Sequence, residues 1–140
     1  MRVFLDTNVF LYAAGSAHPS KEPCVRVLRA VADGSLDATI NSEVVQEILY
    51  VLARRNRRSD GVGLSRRVAA LFPDLLPVTR EDALGACDLV EKYPRLSVRD
   101  AVHAASMLRN GIERVVSVDA DFDQIREVHR VSPESALRRR

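Results

Sequence analysis

The fold is decided by residues 3–40, which read VFLDTNVFLYAAGSAHPSKEPCVRVLRAVADGSLDATI. Short apolar runs at 3–5 and 38–40 are each closed by polar residues, and both predict buried strands. Between them, the apolar residues of 21–32 recur at the spacing of one helical face. A strand, a helix and a second strand of these lengths predict a β-α-β unit with parallel strands and a right-handed crossover.

The same alternation continues through the rest of the chain. We predict helices at 42–55, 63–72, 80–92 and 98–109, and strands at 75–78, 115–118 and 127–131. This order is typical of an α/β fold with a mainly parallel central sheet of four or five strands. Because the chain has 140 residues, 46% of them hydrophobic, we expect one domain spanning residues 1–140.

Composition excludes several classes of protein. The 21 Lys and Arg residues nearly balance the 19 Asp and Glu residues, so any binding of nucleic acid must depend on local patches. The two cysteines lack the spacing of a zinc site or redox motif, which favours a cytoplasmic setting. No uncharged apolar run approaches the roughly 18 residues of a membrane span, and we expect no membrane association.

Four acidic residues fall where the predicted strands end. Asp6 and Asp119 directly follow strands, Glu47 lies in the helix after the second strand, and Asp100 begins the helix before a late strand. Ligands of open parallel sheets bind outside the carboxyl ends of the strands. Carboxylates that converge there at ~4–6 Å would repel each other by about 3–4 kcal/mol per pair at an effective dielectric of ~20. Such a cluster needs cations, and oxygen ligands without His or Cys select Mg²⁺ or Mn²⁺.

Each acid also has a purely structural interpretation. Ser97 and Asp100 have the spacing of a capping box, and Glu47 flanks the apolar stripe of its helix. Asp6 and the pair Asp119 and Asp121 are compatible with Asx turns after strands. Only the joint pattern of acids favours a functional site.

Four blocks of sequence, in order, carry a resemblance to a known family. They read VFLDTN at 3–8, NSEVVQEIL at 41–49, DAVHAA at 100–105 and VSVDADF at 116–122. In these blocks the chain resembles the PIN-domain ribonucleases, in particular the VapC toxins of toxin–antitoxin pairs. Ser117 replaces the commoner Thr of the last block and keeps its hydroxyl. The helix acid is either Glu43 or Glu47, and alignment with the family's block favours Glu47.

The resemblance implies a PIN-like three-layer α/β/α sandwich and a cytoplasmic, Mg²⁺-dependent endoribonuclease, with Mn²⁺ as a substitute ion. It also implies neutralisation by a cognate antitoxin and a homodimer. The implied catalytic and metal-binding residues are Asp6, Glu47, Asp100 and Asp119, with Asp121 as a further metal ligand and with Asn8 and Ser117 as the residues that orient the carboxylates. Two alternatives stay open: a PIN nuclease of RNA processing without an antitoxin, and an inactive PIN scaffold.

Basic residues cluster near the end of the helix at 42–55. Arg54, Arg55, Arg57 and Arg58 either contact RNA phosphates or only stabilise the helix terminus. His103 lies among small apolar residues, which predicts a packed, hydrogen-bonded side chain rather than a base or ligand. The tail at 138–140 is predicted to be disordered.

Overall fold

The computed structural model describes residues 1–138 of the chain. Four strands form one sheet in the order β2-β1-β3-β4, and all neighbouring strands are parallel. This confirms the predicted sheet. The strands are β1 (Val3–Leu5), β2 (Ala38–Thr39), β3 (Arg114–Val116) and β4 (His129–Val131).

Helices cover the sheet in a PIN-like three-layer α/β/α arrangement, as predicted. The helices are α1 (Thr7–Ala14), α2 (Lys21–Ala32), α3 (Ser42–Arg54), α4 (Arg58–Leu71), α5 (Arg80–Lys92), α6 (Val98–Arg109) and α7 (Pro133–Arg138), with a 3₁₀ turn at Ala120–Gln124. The core joins the sheet to α3 and α6, and its fully buried residues include Phe4, Leu5, Val44, Ile48, Ala101, Ala104, Val115 and Val116. Strand β1 is buried along its whole length and is continuously apolar, as expected for a strand that is covered on both faces, whereas the edge strand β4 reads His-Arg-Val and begins with an exposed residue.

Two predicted elements differ from the structure. Residues 75–78 are not a strand, because they make only an isolated parallel bridge in which Leu76 pairs with Asn41. Pro77 follows the bridge and has no N–H to continue a ladder. Helix α4 begins at Arg58 rather than near residue 63, since Gly61 lies within it against Leu52 of α3. A Cβ at position 61 would lie 3.1 Å from the Leu52 Cβ, so the glycine allows α3 and α4 to pack closely.

The sequence pattern did not predict α1 or α7. Helix α1 starts directly after β1, with Asp6 as its N-cap. At the other end of the chain Arg138 belongs to α7, which corrects the predicted disorder at that position. Arg139 and Arg140 lie outside the described residues. Within residues 1–138, no helix combines the length and the apolar character needed to span a bilayer.

Candidate active site

Asp6 occupies the carboxyl end of β1, at the centre of the sheet edge. Its backbone N–H donates to the Val116 carbonyl (3.0 Å), which places it beside the end of β3. Its Oδ1 accepts from the Thr7 N–H (2.8 Å) and its Oδ2 accepts from the Ser117 hydroxyl (2.7 Å). Burial raises the pKa of Asp6 against the lowering effects of His103 and these hydrogen bonds, and the charge of Glu47 adds to the rise. Asp6 is therefore a buried carboxylate that, among residues 1–138, forms no ion pair with a lysine or arginine.

Glu47 reaches the same edge from the middle of α3. Its Oε1 accepts from the Thr7 hydroxyl (2.9 Å) and from His103 Nε2 (3.0 Å). Burial acts to raise the pKa of Glu47, but hydrogen bonds from His103 and Thr7 and the charge of Arg99 lower it below the usual value. Glu47 is thus the helix acid of the site, whereas Glu43 lies one turn earlier on α3.

His103 is fully buried on α6 and is hydrogen-bonded, as predicted. Asn41 caps α3 by accepting the Val44 N–H at its Oδ1 (3.0 Å), so its amide nitrogen faces His103 Nδ1 (3.2 Å). An amide donor at Nδ1 leaves the ring proton on Nε2, where it is donated to Glu47. The cap of one helix therefore sets the tautomer of a histidine on another.

Asp100 lies in the first turn of α6, where its N–H donates to the Ser97 hydroxyl (3.1 Å). Burial raises the pKa of Asp100 to about 6, and the charges of Asp6 and Asp121 add to this rise while His103 opposes it. Asp100 therefore lies close enough to Asp6 and to Asp121 for their charges to affect its pKa.

Asp119 follows β3 and is joined to Asp6 through two polar side chains. Ser117 donates its hydroxyl proton to Asp6 and accepts from Asn8 Nδ2 (3.1 Å) and the Asp119 N–H (3.3 Å). The same Asn8 amide donates to Asp119 Oδ2 (3.2 Å), while its Oδ1 accepts from the Val118 N–H (3.3 Å). Both side-chain polar atoms of Asn8 are thereby hydrogen-bonded. Asn8 and Ser117 together connect the side chain of Asp6 to that of Asp119.

A cleft of about 340 Å³ opens at this edge. It is lined by Asp6, Asn8, Leu11, Tyr12, Glu47, Val51, Arg55 and Asp119. The structure therefore brings three of the predicted acids to one cleft, with Asp100 and Asp121 electrostatically coupled to it.

The four arginines predicted as RNA contacts do not form one patch. Arg55 lines the acidic cleft, whereas the Arg54 guanidinium stacks on Tyr50 at 5.9 Å from the ring centroid. Arg57 pairs with Asp60 (3.0 Å), and Arg58 lines a depression on another part of the α3–α4 hairpin. Helix α3 ends between these residues and spreads them over more than one surface, although Arg55 and Arg57 line one pocket. Contact of the four arginines with RNA stays a prediction.

Four residues of the site were not identified from sequence as parts of it: Thr7, Tyr12, Asn41 and Arg99. Thr7 and Asn41 belong to the sequence blocks at 3–8 and 41–49 that resemble the family. Their positions next to Asp6 and Ser42 were the signal in the sequence that could have identified them. Arg99 contacts the Tyr50 ring at 4.3 Å and lowers the pKa of Glu47. Tyr12 had no local signal, because helix α1 itself was not predicted.

The chemistry of the donor set fits a hard divalent cation. All the available ligand atoms of the acids are carboxylate oxygens, and burial together with the negative charges of Asp6 and Asp121 raises the pKa of Asp100. Among residues 1–138, no three Asp, Glu, His or Cys side chains are close enough to enclose an ion by themselves.

The chain matches the PIN domain family over residues 3–128. It is 36% identical to Ribonuclease VapC7 of Mycobacterium tuberculosis over 138 residues, which cover 96% of this chain and 93% of that protein. Ribonuclease VapC13 of the same species is 30% identical over 130 residues, covering 93% and 99%.

Solved structures share the fold. VapBC2 from Rickettsia felis, bound to a DNA fragment from its promoter, aligns with a TM-score of 0.73 at 14% identity, covering 94% of this chain and 98% of that chain. The sarcin-ricin loop cleaving toxin VapC20 of M. tuberculosis aligns with a TM-score of 0.71 at 19% identity, covering 86% and 92%. With its motif blocks at one sheet edge and its similarity to curated relatives over nearly its whole length, the chain belongs to the PIN-domain family, among the VapC ribonucleases.

Proposed function

We propose that the protein is a metal-dependent endoribonuclease of the VapC type, which hydrolyses RNA phosphodiester bonds in the acidic cleft. The observation that carries the proposal is the convergence of Asp6, Glu47 and Asp119 on one cleft, with Asp100 held beside Asp6 at a pKa of about 6. An inactive scaffold has no use for carboxylates that repel one another, since they only destabilise it.

Asp6, Asp100 and Asp119 are proposed to hold the metal, directly or through water, with Asp121 as a further ligand. The donor chemistry favours Mg²⁺, with Mn²⁺ as a substitute. A bound divalent ion would supply charge neutralisation at the phosphate and would acidify an attacking water.

Glu47 is proposed to orient that water and accept its proton. Thr7 and His103 both bond to its Oε1, so Oε2 keeps its lone pairs for the water. Because its pKa is lowered, Glu47 is ionised at neutral pH and is ready to accept a hydrogen bond.

Asn8 and Ser117 are proposed to fix the carboxylates before the substrate arrives. Their hydrogen bonds join Asp6 to Asp119, so neither side chain must reorganise when charge develops. Such supporting contacts are typical of metal sites, where they set the orientation of the ligands.

A cognate antitoxin is the proposed protein partner, and homodimerisation is proposed with it. The solved structures of similar fold include a toxin–antitoxin complex from Klebsiella pneumoniae and VapBC-5 from Mycobacterium tuberculosis, a member of the VapBC family of toxin–antitoxin systems. The α3–α4 hairpin of this chain exposes Leu49, Tyr50 and Val62, each at least 38% accessible. These side chains offer a partner apolar surface, while Leu52 and Val68 of the same helices belong to the core. An RNA substrate places the proposed activity in the cytoplasm.

The test is cleavage of RNA by the purified protein with and without Mg²⁺, with sequencing of the RNA ends. We expect Mg²⁺-dependent cleavage by the wild type, and a loss of at least about 10³-fold in Asp6→Asn, which keeps the shape of the side chain but removes a charge at the metal. Circular dichroism checks that the variant is folded. Full activity in Asp6→Asn, or cleavage that persists in EDTA, would refute the proposal.

A further inference from the structure

A second pocket lies beside the acidic cleft, between α1 and the α3–α4 hairpin. Its volume is about 330 Å³. Leu11 and Arg55 line both the pocket and the cleft. Because the two spaces share these walls, an extended polymer that binds across the cleft can continue into the pocket without leaving the protein surface.

The charges of this pocket are mainly positive. Arg55, Arg57 and Arg67 line it, together with one carboxylate, that of Asp60. Arg57 Nε pairs with Asp60 Oδ2 at 3.0 Å, but both side chains are about half exposed or more, so the pair is strongly screened by water. Three guanidinium groups share the pocket with one carboxylate, so the pocket carries net positive charge next to the acidic cleft.

Local backbone geometry places these arginines. Helix α3 ends with Asn56 in the left-handed region at φ 61°. The Asn56 N–H donates to the Ala53 carbonyl and the Arg57 N–H to the Leu52 carbonyl (2.8 Å), which is a Schellman motif. This tight turn holds Arg55 and Arg57 on the two sides of the hairpin apex.

Arg67 is placed by a glycine. A Cβ at Gly63, one turn earlier on α4, would lie 3.4 Å from Arg67 Nη1. The guanidinium therefore lies over position 63, and both residues line the pocket. Apolar groups complete the lining, from residues Leu11, Ala14, Leu52 and Leu64.

We propose that this pocket is a subsite for a nucleotide that flanks the scissile phosphate of single-stranded RNA. Arg57 and Arg67 would bind a phosphate, and the leucine side chains would pack against the base or ribose. The inference rests on the proposed ribonuclease function and adds to it the path of the substrate. Continuity with the acidic cleft favours RNA over an acidic protein segment, because an RNA strand with its scissile phosphate in the cleft has a flanking nucleotide beside the cleft, where the pocket lies.

The test compares two double variants that remove equal charge. Arg57→Gln/Arg67→Gln removes two of the three pocket arginines. Arg66→Gln/Arg80→Gln is the control, because Arg66 and Arg80 are exposed and do not line the pocket. Binding of a fluorescent single-stranded RNA oligonucleotide is measured in EDTA, to prevent cleavage, over a series of salt concentrations.

We expect the pocket variant to bind RNA on the order of tenfold more weakly at about 0.1 M salt. The slope of log K against log[salt] should fall by about 0.7 for each RNA phosphate that an arginine no longer neutralises. The control should keep the wild-type slope. Equal slopes in the two double variants would overturn the subsite, and this is also the result expected if the pocket serves an acidic protein segment.

A third variant gives an effect of opposite sign. Asp60→Asn removes the one carboxylate of the pocket lining, so it should tighten RNA binding severalfold at low salt. Misfolding cannot mimic a gain in affinity, and unchanged or weaker binding in this variant counts against the subsite. If the wild type neither binds nor cleaves RNA, the proposed function itself fails. If the wild type cleaves RNA and all variants bind alike, only the subsite fails.

Discussion

Helices α5 and α6 pack against each other and begin with the same four-residue pattern, yet their acids have opposite environments. Thr79 and Asp82 of α5 form a complete capping box, in which the Asp82 carboxylate accepts from the Thr79 N–H (2.9 Å). Asp82 also binds Arg109 of α6 through two hydrogen bonds (2.6 and 3.2 Å). Burial acts to raise the pKa of Asp82, but these partners lower it below the usual value.

In α6, Ser97 and Asp100 are spaced identically, but among the described residues only one of the two capping bonds is present. The Asp100 N–H donates to the Ser97 hydroxyl (3.1 Å). Its carboxylate lies beside Asp6 and Asp121, and burial together with their charges raises its pKa to about 6. A capping pattern in the sequence therefore does not decide between a structural acid and a site acid. The difference is whether a cation of the protein neutralises the carboxylate.

The comparison predicts different effects of the same substitution on catalysis. Asp100→Asn should lower kcat/KM for RNA cleavage at least about 10³-fold, because it removes a negative charge that the proposed metal requires. Asp82→Asn should leave kcat/KM within a few fold, since Arg109 neutralises Asp82, and only Asp100 of the two acids is affected by the charge of Asp6. Both variants are assayed on one RNA at saturating Mg²⁺.

The matched pair also shows how this prediction could fail. If Asp82→Asn reduces cleavage as much as Asp100→Asn, the loss reflects general damage to the α5–α6 pair. If neither variant affects cleavage, Asp100 does not belong to the catalytic site.

A second prediction concerns stability. Asp82→Ala should lower the free energy of unfolding by about 2 kcal/mol at pH 7, because it removes the helix cap and buried hydrogen bonds. Since the pKa of Asp82 is lowered in the folded protein, its charge stabilises the fold above its ordinary pKa of about 3.9, and this contribution is lost as the pH falls through the lowered pKa. Urea unfolding at a series of pH values should show a smaller difference between wild type and variant at pH 3 than at pH 7. An equal difference at both pH values would mean that the ion pair adds nothing to the cap.

Much of this arrangement could be predicted from the sequence, because strands that are buried on both faces are short apolar runs and their ends carry the acids. Asp6 and Asp119 were noticed because they follow predicted strands, but only the joint pattern of acids favoured a functional site. The choice of Glu47 over Glu43 required the family resemblance, since on a helical wheel Glu47 only flanks the apolar stripe. For the basic cluster, the sequence did not show which surface each arginine faces, because the Schellman turn at Asn56 lies between Arg54 and Arg57.

Long-range contacts explain what the sequence could not predict. The tautomer of His103 depends on Asn41, which lies 62 positions away in the chain. Helix α1 follows β1 without a break, so its apolar residues appeared continuous with the strand. The raised pKa of Asp100 depends on its burial and on the charges of Asp6 and Asp121, which belong to other elements. Local periodicity carries no information on such pairs.

The smallest predicted effect is a gain in stability. In the metal-free protein at pH 7.5, ionised Asp100 lies well above its pKa of about 6, and a rise of this size corresponds to roughly 2–3 kcal/mol of unfavourable ionisation. Asp100→Asn removes this repulsion but also removes a negative charge from the first turn of α6, where the helix dipole favours it. We therefore expect a net gain of about 1 kcal/mol, measured by thermal unfolding in EDTA.

Added Mg²⁺ should raise the Tm of the wild type and of Asp82→Asn but have little effect on Asp100→Asn, because only a ligand that binds the folded state stabilises it. A Tm of Asp100→Asn below that of the wild type in EDTA would show that Asp100 acts mainly as a capping residue, like Asp82.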